Sequence, residues 1–319
     1  MSRKRPLWFR PSLLLTAVGA LVGASFLAMG SAAANDESTV VAVVGDIQCG
    51  SESAGHDHTG DATSKRCQSE KVRALIDAHH ADLIMMPGDL QYDSGSSADF
   101  AGEFGPTWGD LTSILRPAPG NHEYRDNVVG YRGFFGDYVT TDGQLFYGFG
   151  AGDWQGLSLD SNCKEIDCSA SGAQYAWASG QLAAMKAADP TGCTIAEYHH
   201  PVVTSYATDE DPQKRFADTF ALLSNQGVDI VVAGHVHAYE RFAPVDGQLQ
   251  PSDTGTVQFT VGTGGKSLYR PTGTPDERAA VFDNASFGAL FLKLSKTSYT
   301  YQFIDVDGTV LDSGKGTCH

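Results

Sequence analysis

No Cys-x-x-Cys pair occurs in this chain, which sets aside a thiolate zinc ribbon. There is no Gly-X-Y period and no heptad run, so collagen and coiled coil are excluded. Basic side chains are scarce, 22 Lys and Arg against 38 Asp and Glu. Four of the basic residues, Arg3, Lys4, Arg5 and Arg10, lie in the first 34 residues, where there is no acid. The remainder then holds 18 basic and 38 acidic residues, a formal charge of −20. A body this acidic is a poor general binder of nucleic acid or anionic lipid. Past residue 35 there is no apolar run of spanning length, no internal repeat, no low-complexity linker and no composition break.

What is present is a 41% hydrophobic composition with 36 glycines among 319 residues. That is enough to bury a sizeable core, in a loop-rich fold rather than a helix bundle. The basic residues 1–12, the apolar run Leu13 to Met29 and the small residues Ser31-Ala32-Ala33-Ala34 have the form of an export signal. The run is shorter than the ~20 residues of a membrane span. Residues 1–34 are therefore expected to be a cleaved signal peptide. A secreted mature chain would start at Asn35, without a membrane anchor after cleavage.

All six cysteines, Cys49, Cys67, Cys163, Cys168, Cys193 and Cys318, lie beyond the signal. An even number in an exported chain reads as three disulfides, although six cysteines allow ~15 pairings. Cys163 and Cys168 bracket a short acidic loop, and Cys49 and Cys67 bracket a polar one. Cys193 is then left for Cys318.

The strand signals end in ligand-type residues. The β-branched run 39–44 stops at Gly45-Asp46, and 82–86 stops at Pro87-Gly88-Asp89. Residues 114–119 run into Gly120-Asn121-His122, 193–198 into His199-His200-Pro201, and 228–233 into Gly234-His235-Val236-His237. Helices are expected from a Ser69 cap onward, over 174–188, and over 213–224 with Phe216, Phe220 and Leu223 inward. Segments 145–149, 156–159, 257–261, 287–294 and 299–304 read as meander strands. One α/β domain over 35–319, with two stacked sheets, is the simplest account.

In open α/β sheets the ligand sits beyond the carboxyl ends of the strands. Loops there would gather Asp46, Asp89, Asn121, His199, His235 and His237: three oxygen donors and three imidazoles, suited to hard or borderline metals. Six protein donors exceed what one catalytic ion with open positions takes, and suit two ions sharing a carboxylate.

The blocks Gly45-Asp46, Gly88-Asp89-Leu90-Gln91-Tyr92, Gly120-Asn121-His122-Glu123, His199-His200-Pro201 and Gly234-His235-Val236-His237 stand in the order of the calcineurin-like metallophosphoesterases, which the chain resembles over 39–319. The Tyr of Gly-Asp-x-x-Tyr is similar to the purple acid phosphatase branch. The cysteine pattern, Tyr239-Glu240-Arg241, Gly262-Thr263-Gly264-Gly265 and Cys318-His319 resemble its secreted bacterial members. The resemblance implies a four-layer α/β/β/α sandwich of two mixed β-sheets flanked by helices. It implies a first metal on Asp46, Asp89, Tyr92 and His237, and a second on Asp89, Asn121, His199 and His235, with Asp89 bridging. Fe(III) would suit the Tyr92 phenolate, with Fe, Zn or Mn beside it. His122 would stand unliganded as general acid, while a metal-activated hydroxide attacks a small phosphomonoester in line. His200 and Tyr239 would face the substrate.

Many relatives carry Asp-x-His at the first block, where this chain has Asp46-Ile47-Gln48; Gln48 is then a candidate to crowd the site or to ligate weakly. Other residues read more plainly. His56 and His58 fit a solvated loop, His79 and His80 a helix C-terminus, and Arg241 an ion pair with an acid. A phosphodiesterase or nucleotidase on the same site, and a non-enzymatic metal-stabilised exported binding protein, are the alternative functions.

Overall fold

The computed structural model describes residues 38–50, 67–206, 215–269 and 274–319. The expected signal peptide, His56, His58 and the first residues of the expected 213–224 helix lie outside the described residues.

Two mixed sheets carry the fold. The first contains β1 (Thr39–Val43), β2 (Leu83–Pro87), β3 (Leu115–Ala118), β11 (Gly288–Ser295), β12 (Ser298–Asp305) and β13 (Val310–Thr317), in the order β13-β12-β11-β1-β2-β3. The second contains β4 (Tyr147–Ala151), β5 (Trp154–Ser158), β6 (Thr194–Glu197), β7 (Ile230–Ala233), β8 (Tyr239–Phe242), β9 (Val257–Val261) and β10 (Ala279–Asp283), in the order β10-β8-β9-β7-β6-β5-β4. Strands β1, β2 and β3 are parallel, as are β5, β6, β7 and β9; the outer strands β11–β13, β4, β8 and β10 join them antiparallel.

Side-chain alternation assigns each strand face to a layer. Val41, Val43, Leu83, Met85, Leu290 and Leu292 point between the sheets and meet Ile195, Ile230, Val232 and Phe259 of the second. Their neighbours Ala42, Val44, Ile84, Met86 and Phe291 point outward onto Val72, Leu75 and Ile76. Those three sit at helical spacing on the inner face of helix Ser69–Ala78. On the far side Ala196, Val231 and Ala233 pack under Ala178 and Leu182 of helix Ala173–Ala188 and Phe220 and Leu223 of helix Ala217–Asn225. The result is the expected helix–sheet–sheet–helix sandwich. Among the described residues no helix is long and apolar enough to cross a membrane.

The cysteines join as Cys49–Cys67, Cys163–Cys168 and Cys193–Cys318. His79 closes its helix with Nδ1 against Leu75 O at 2.8 Å. Other local expectations differ. Ser69 is the first helical residue rather than its cap; Gln68 holds the cap position, and the Ser69 hydroxyl donates to Gln48 Oε1 at 2.6 Å. The helical stretch between Ser97 and Leu111 and the helix Val129–Phe135 were not anticipated, nor were β8, β10 and β13. Strand β13 reads VLDSGKGT, polar and glycine-bearing, which suits an edge strand and carries no alternation to recognise.

Candidate metal centre

Strands β1, β2, β3, β6 and β7 all deliver their carboxyl ends to one edge of the sandwich. Asp46, Asp89 and His235 follow these ends in the left-handed backbone region, with φ of 60°, 50° and 66°. Such conformations cost a non-glycine residue ~1–3 kcal/mol and cluster where a chain is bent for function. Gly88, at φ 82°, lets the β2 loop pass against the His199 ring. At Gly120 a Cβ would collide with the Asp89 amide nitrogen and carboxylate.

The side chains converge. Tyr92 Oη lies 2.9 Å from Asp46 Oδ1, 3.0 Å from Asp89 Oδ2 and 3.0 Å from His237 Nε2. Asp46 Oδ1 is also 3.2 Å from His237 Nε2. Beside this group, Asn121 Oδ1 lies 3.1 Å from both His199 Nε2 and His235 Nδ1, and His199 Nε2 is 3.3 Å from Asp89 Oδ1. Asp89 thus gives one oxygen to each group. The oxygen donors Asp46, Asp89, Tyr92 and Asn121 all follow strands of the first sheet, and the imidazoles all follow strands of the second.

These spacings fit metal ions. Metal–donor bonds of ~2.1 Å put neighbouring donors about 3.0 Å apart at a right angle. The donor set is hard oxygen with borderline imidazole, appropriate to iron, zinc or manganese.

Supporting contacts fix the donors. His199 Nδ1 sits 2.9 Å from Pro87 O, and His237 Nδ1 sits 2.8 Å from Ser267 Oγ, leaving Nε2 of each toward the cluster. Asp46 Oδ2 accepts the His235 amide at 2.8 Å, and Asp89 Oδ1 accepts the His122 amide at 2.9 Å. Glu123, fully buried, accepts four backbone N–H groups: Asp89 and Gly120 on Oε2, Leu90 and Gln91 on Oε1. It ties the β2 loop to the β3 loop. Its sequence signal was its place in Gly-Asn-His-Glu, at the third position of a helical turn.

The electrostatics follow from burial and from the two close carboxylates. Burial pushes Tyr92 upward, and the Asp46 and Asp89 charges push it the same way. Burial pulls His199 down, but the Asp89 charge and contact, the Asp46 charge and the Pro87 carbonyl together outweigh it and raise the imidazole to about 9. Burial and that positive neighbour lower His235 to about 4. Burial and the Asp89 charge raise Glu123 to about 7. In the metal-free protein a proton on His199 supplies positive charge between the carboxylates.

His122 lies beside the cluster, its ring 4.1 Å from that of Tyr92 and its Nε2 3.8 Å from Asp89 Oδ2. That is longer than any donor spacing above. His200 is buried, with Nδ1 3.0 Å from Ser161 Oγ and its ring 4.5 Å from His235. Two expectations change. Tyr239 does not reach this edge: it is buried in β8 between the sheets, stacked on Phe303, and its hydroxyl donates to Asp312 Oδ2 at 2.7 Å. Gln48 does not crowd the donors, since its carbonyl oxygen is engaged by Ser69. Arg241 pairs with the same Asp312 at 2.7 Å, the ion pair expected of it.

The calcineurin-like phosphoesterase family model matches residues 39–239. Purple acid phosphatase 18 of Arabidopsis thaliana is 31% identical over 232 residues, 67% of this chain and 51% of the relative. The Fe(3+)-Zn(2+) purple acid phosphatase 12 of the same plant is 28% identical over 145 residues, 40% of this chain and 30% of the relative. Among solved structures, purple acid phosphatase PPD1 from yellow lupin (Lupinus luteus) seeds superposes with a TM-score of 0.69 at 20% identity, covering 88% of this chain and 54% of that one. The chain spans about half the length of the first of these relatives.

Proposed function

Since the chain belongs to the calcineurin-like phosphoesterase family, we propose that it is an exported two-metal phosphatase acting on small phosphomonoesters. The convergence of seven donor side chains from two sheets, at spacings of 2.9–3.3 Å, carries this reading. Asp46, Asp89, Tyr92 and His237 would hold the first ion and Asp89, Asn121, His199 and His235 the second. Fe(III) would suit the Tyr92 phenolate, and Fe, Zn or Mn the other position. When bound, the ions supply Lewis acidity toward the phosphoryl oxygens and make hydroxide accessible near neutral pH.

The chain's own groups do the rest. Asn121 offers a neutral carbonyl oxygen, a weak ligand that suits a site which must release phosphate. His122, outside ligand range, orients Nδ1 toward Asp93 O at 2.5 Å and keeps Nε2 toward the cluster. From there the imidazolium, its Nδ1–H held by the Asp93 carbonyl, gives its Nε2 proton to the departing alkoxide and is left as the Nδ1–H tautomer, a contribution of ~10²–10⁴-fold. His200, with Nδ1 engaged by Ser161, borders the second ion and contacts phosphate. Residues 1–34 act as the signal peptide and are removed.

Four measurements on the purified protein test this. Metal analysis should find two ions per chain, and the iron-loaded form should be coloured, with the colour lost in Tyr92→Phe. Phosphomonoesters should be cleaved faster than diesters. His122→Asn should keep its metals yet lose far more activity on an alkyl phosphate than on nitrophenyl phosphate, whose leaving group departs as an anion. Absence of bound metal, or full activity of the Asp89→Ala variant, would overturn the proposal.

A further inference from the structure

The glycine-rich loop 262–265 belongs to the second sheet, yet it lies flat on the loop that follows β1. Gly264 N donates to Gly45 O at 2.9 Å, and Gly265 O accepts from Gln68 N at 2.9 Å. A Cβ on Gly264 would strike Gly45 O, so the close approach needs glycine. This seating brings the backbone of Lys266 to within 3.2 Å of Asp46 O. It also sends the Lys266 side chain across the edge of the sandwich. The ammonium lies 2.7 Å from Asp93 Oδ1 and 4.7 Å from the centre of the Tyr92 ring.

Asp93 is the residue that orients His122. Its carbonyl oxygen faces His122 Nδ1 at 2.5 Å and accepts from Arg125 at 3.1 Å. The Tyr92 ring that Lys266 covers is the one against which His122 packs. Lys266 and His122 are therefore joined twice, through Asp93 and through Tyr92. The Asp93 carboxylate is more than half exposed, and a rim ion pair of this kind adds little to stability. Its consequence lies in geometry instead. An imidazole that must present Nε2 needs Nδ1–H held by a fixed acceptor.

We propose that Lys266 is a positioning residue for His122, acting through Asp93 from the opposite sheet. This rests on the general-acid reading of His122 given above. Lys266→Met should lower kcat on an alkyl phosphate about tenfold and on nitrophenyl phosphate less than twofold, with KM unchanged on both. Lys266→Arg, which can still reach Asp93, should restore most of the loss. In a His122→Asn background, Lys266→Met should cost nothing further, because the two residues act as one unit. Nitrogen NMR of the imidazole in metal-free protein gives a readout without turnover. The Nδ1–H tautomer should dominate in the parent and mix with the other in Lys266→Met. Equal losses on both esters, a KM rise on both, additivity with His122→Asn or an unchanged tautomer would overturn the inference. If His122→Asn shows the leaving-group effect and Lys266→Met does not, only the role of Lys266 falls. If His122→Asn shows none, the general-acid reading falls with it.

Discussion

Replacing Glu123 by Gln tests whether one buried carboxylate sets the spacing of the donor loops. In the native chain each of its oxygens accepts two backbone N–H groups, at 2.7–3.2 Å. The amide keeps one oxygen and turns an NH2 toward two donors. A buried donor left without an acceptor costs about 1–3 kcal/mol, so the change should cost about 2–6 kcal/mol. At about 2 °C per kcal/mol for a domain of this size, Tm should fall by about 4–12 °C. Calorimetry of the metal-loaded protein at pH 8 is the assay, where Glu123, at about 7 in the metal-free protein, is ionised and bound cations offset the Asp89 charge that opposes its ionisation. The exposed Glu277→Gln is the control. Metal content should drop as well, since Asp89 and Asn121 lose their common anchor. The same group sets a pH signature in the metal-free protein. Its folded pKa lies above its unfolded value, so its contribution to stability is complete below about 4.3 and is lost as pH rises through about 7. The Gln variant should lack that slope. A variant with unchanged Tm and two bound metals would refute the reasoning.

Gly120→Ala should reduce metal content and cost about 1–3 kcal/mol, because its methyl has no space beside Asp89; chelator-competition titration measures it. Tyr239→Phe should cost about 1 kcal/mol through the lost Asp312 bond while kcat and KM stay within twofold, and a change in kcat would return Tyr239 to the site. Replacing Cys193 and Cys318 by Ser opens a loop of separation 125, and chain entropy gives about 5 kcal/mol for it, against about 2 kcal/mol for Cys163–Cys168 at separation 5. Urea midpoints of the two double variants should follow that ranking.

The donor edge was legible because each central strand is a short apolar run that stops abruptly at Gly-Asp, Gly-Asn or a histidine. Burial on both faces and termination at a ligand-type residue are local properties, visible in Val40–Asp46 or Ile230–His235 without their neighbours. Tyr239 was misplaced for the opposite reason. It stands two residues after His237, but it is the first residue of strand β8, which carries it into the inter-sheet core, where its partner Asp312 comes from far along the chain. The clamp formed by Glu123 was hidden because its partners are backbone N–H groups, which every residue but proline has. Lys266 and Ser267 were hidden because their targets belong to loops of the other sheet or of earlier strands.

The division of donors between the sheets, oxygens on one and imidazoles on the other, has a mechanical consequence. The layer between Val43 or Met85 and Ile195 or Val232 is apolar, and apolar contact has little directional preference of its own. Slipping one sheet by a single residue would displace oxygens from nitrogens by about 3.3 Å. That exceeds a metal–donor bond of ~2.1 Å, so a slipped sandwich could not hold an ion with both donor types. Each cation would therefore work as a rivet driven through the ends of two stacked plates. It would fix their alignment as well as their adhesion, adding about 2.7 kcal/mol at a hundredfold excess over its Kd.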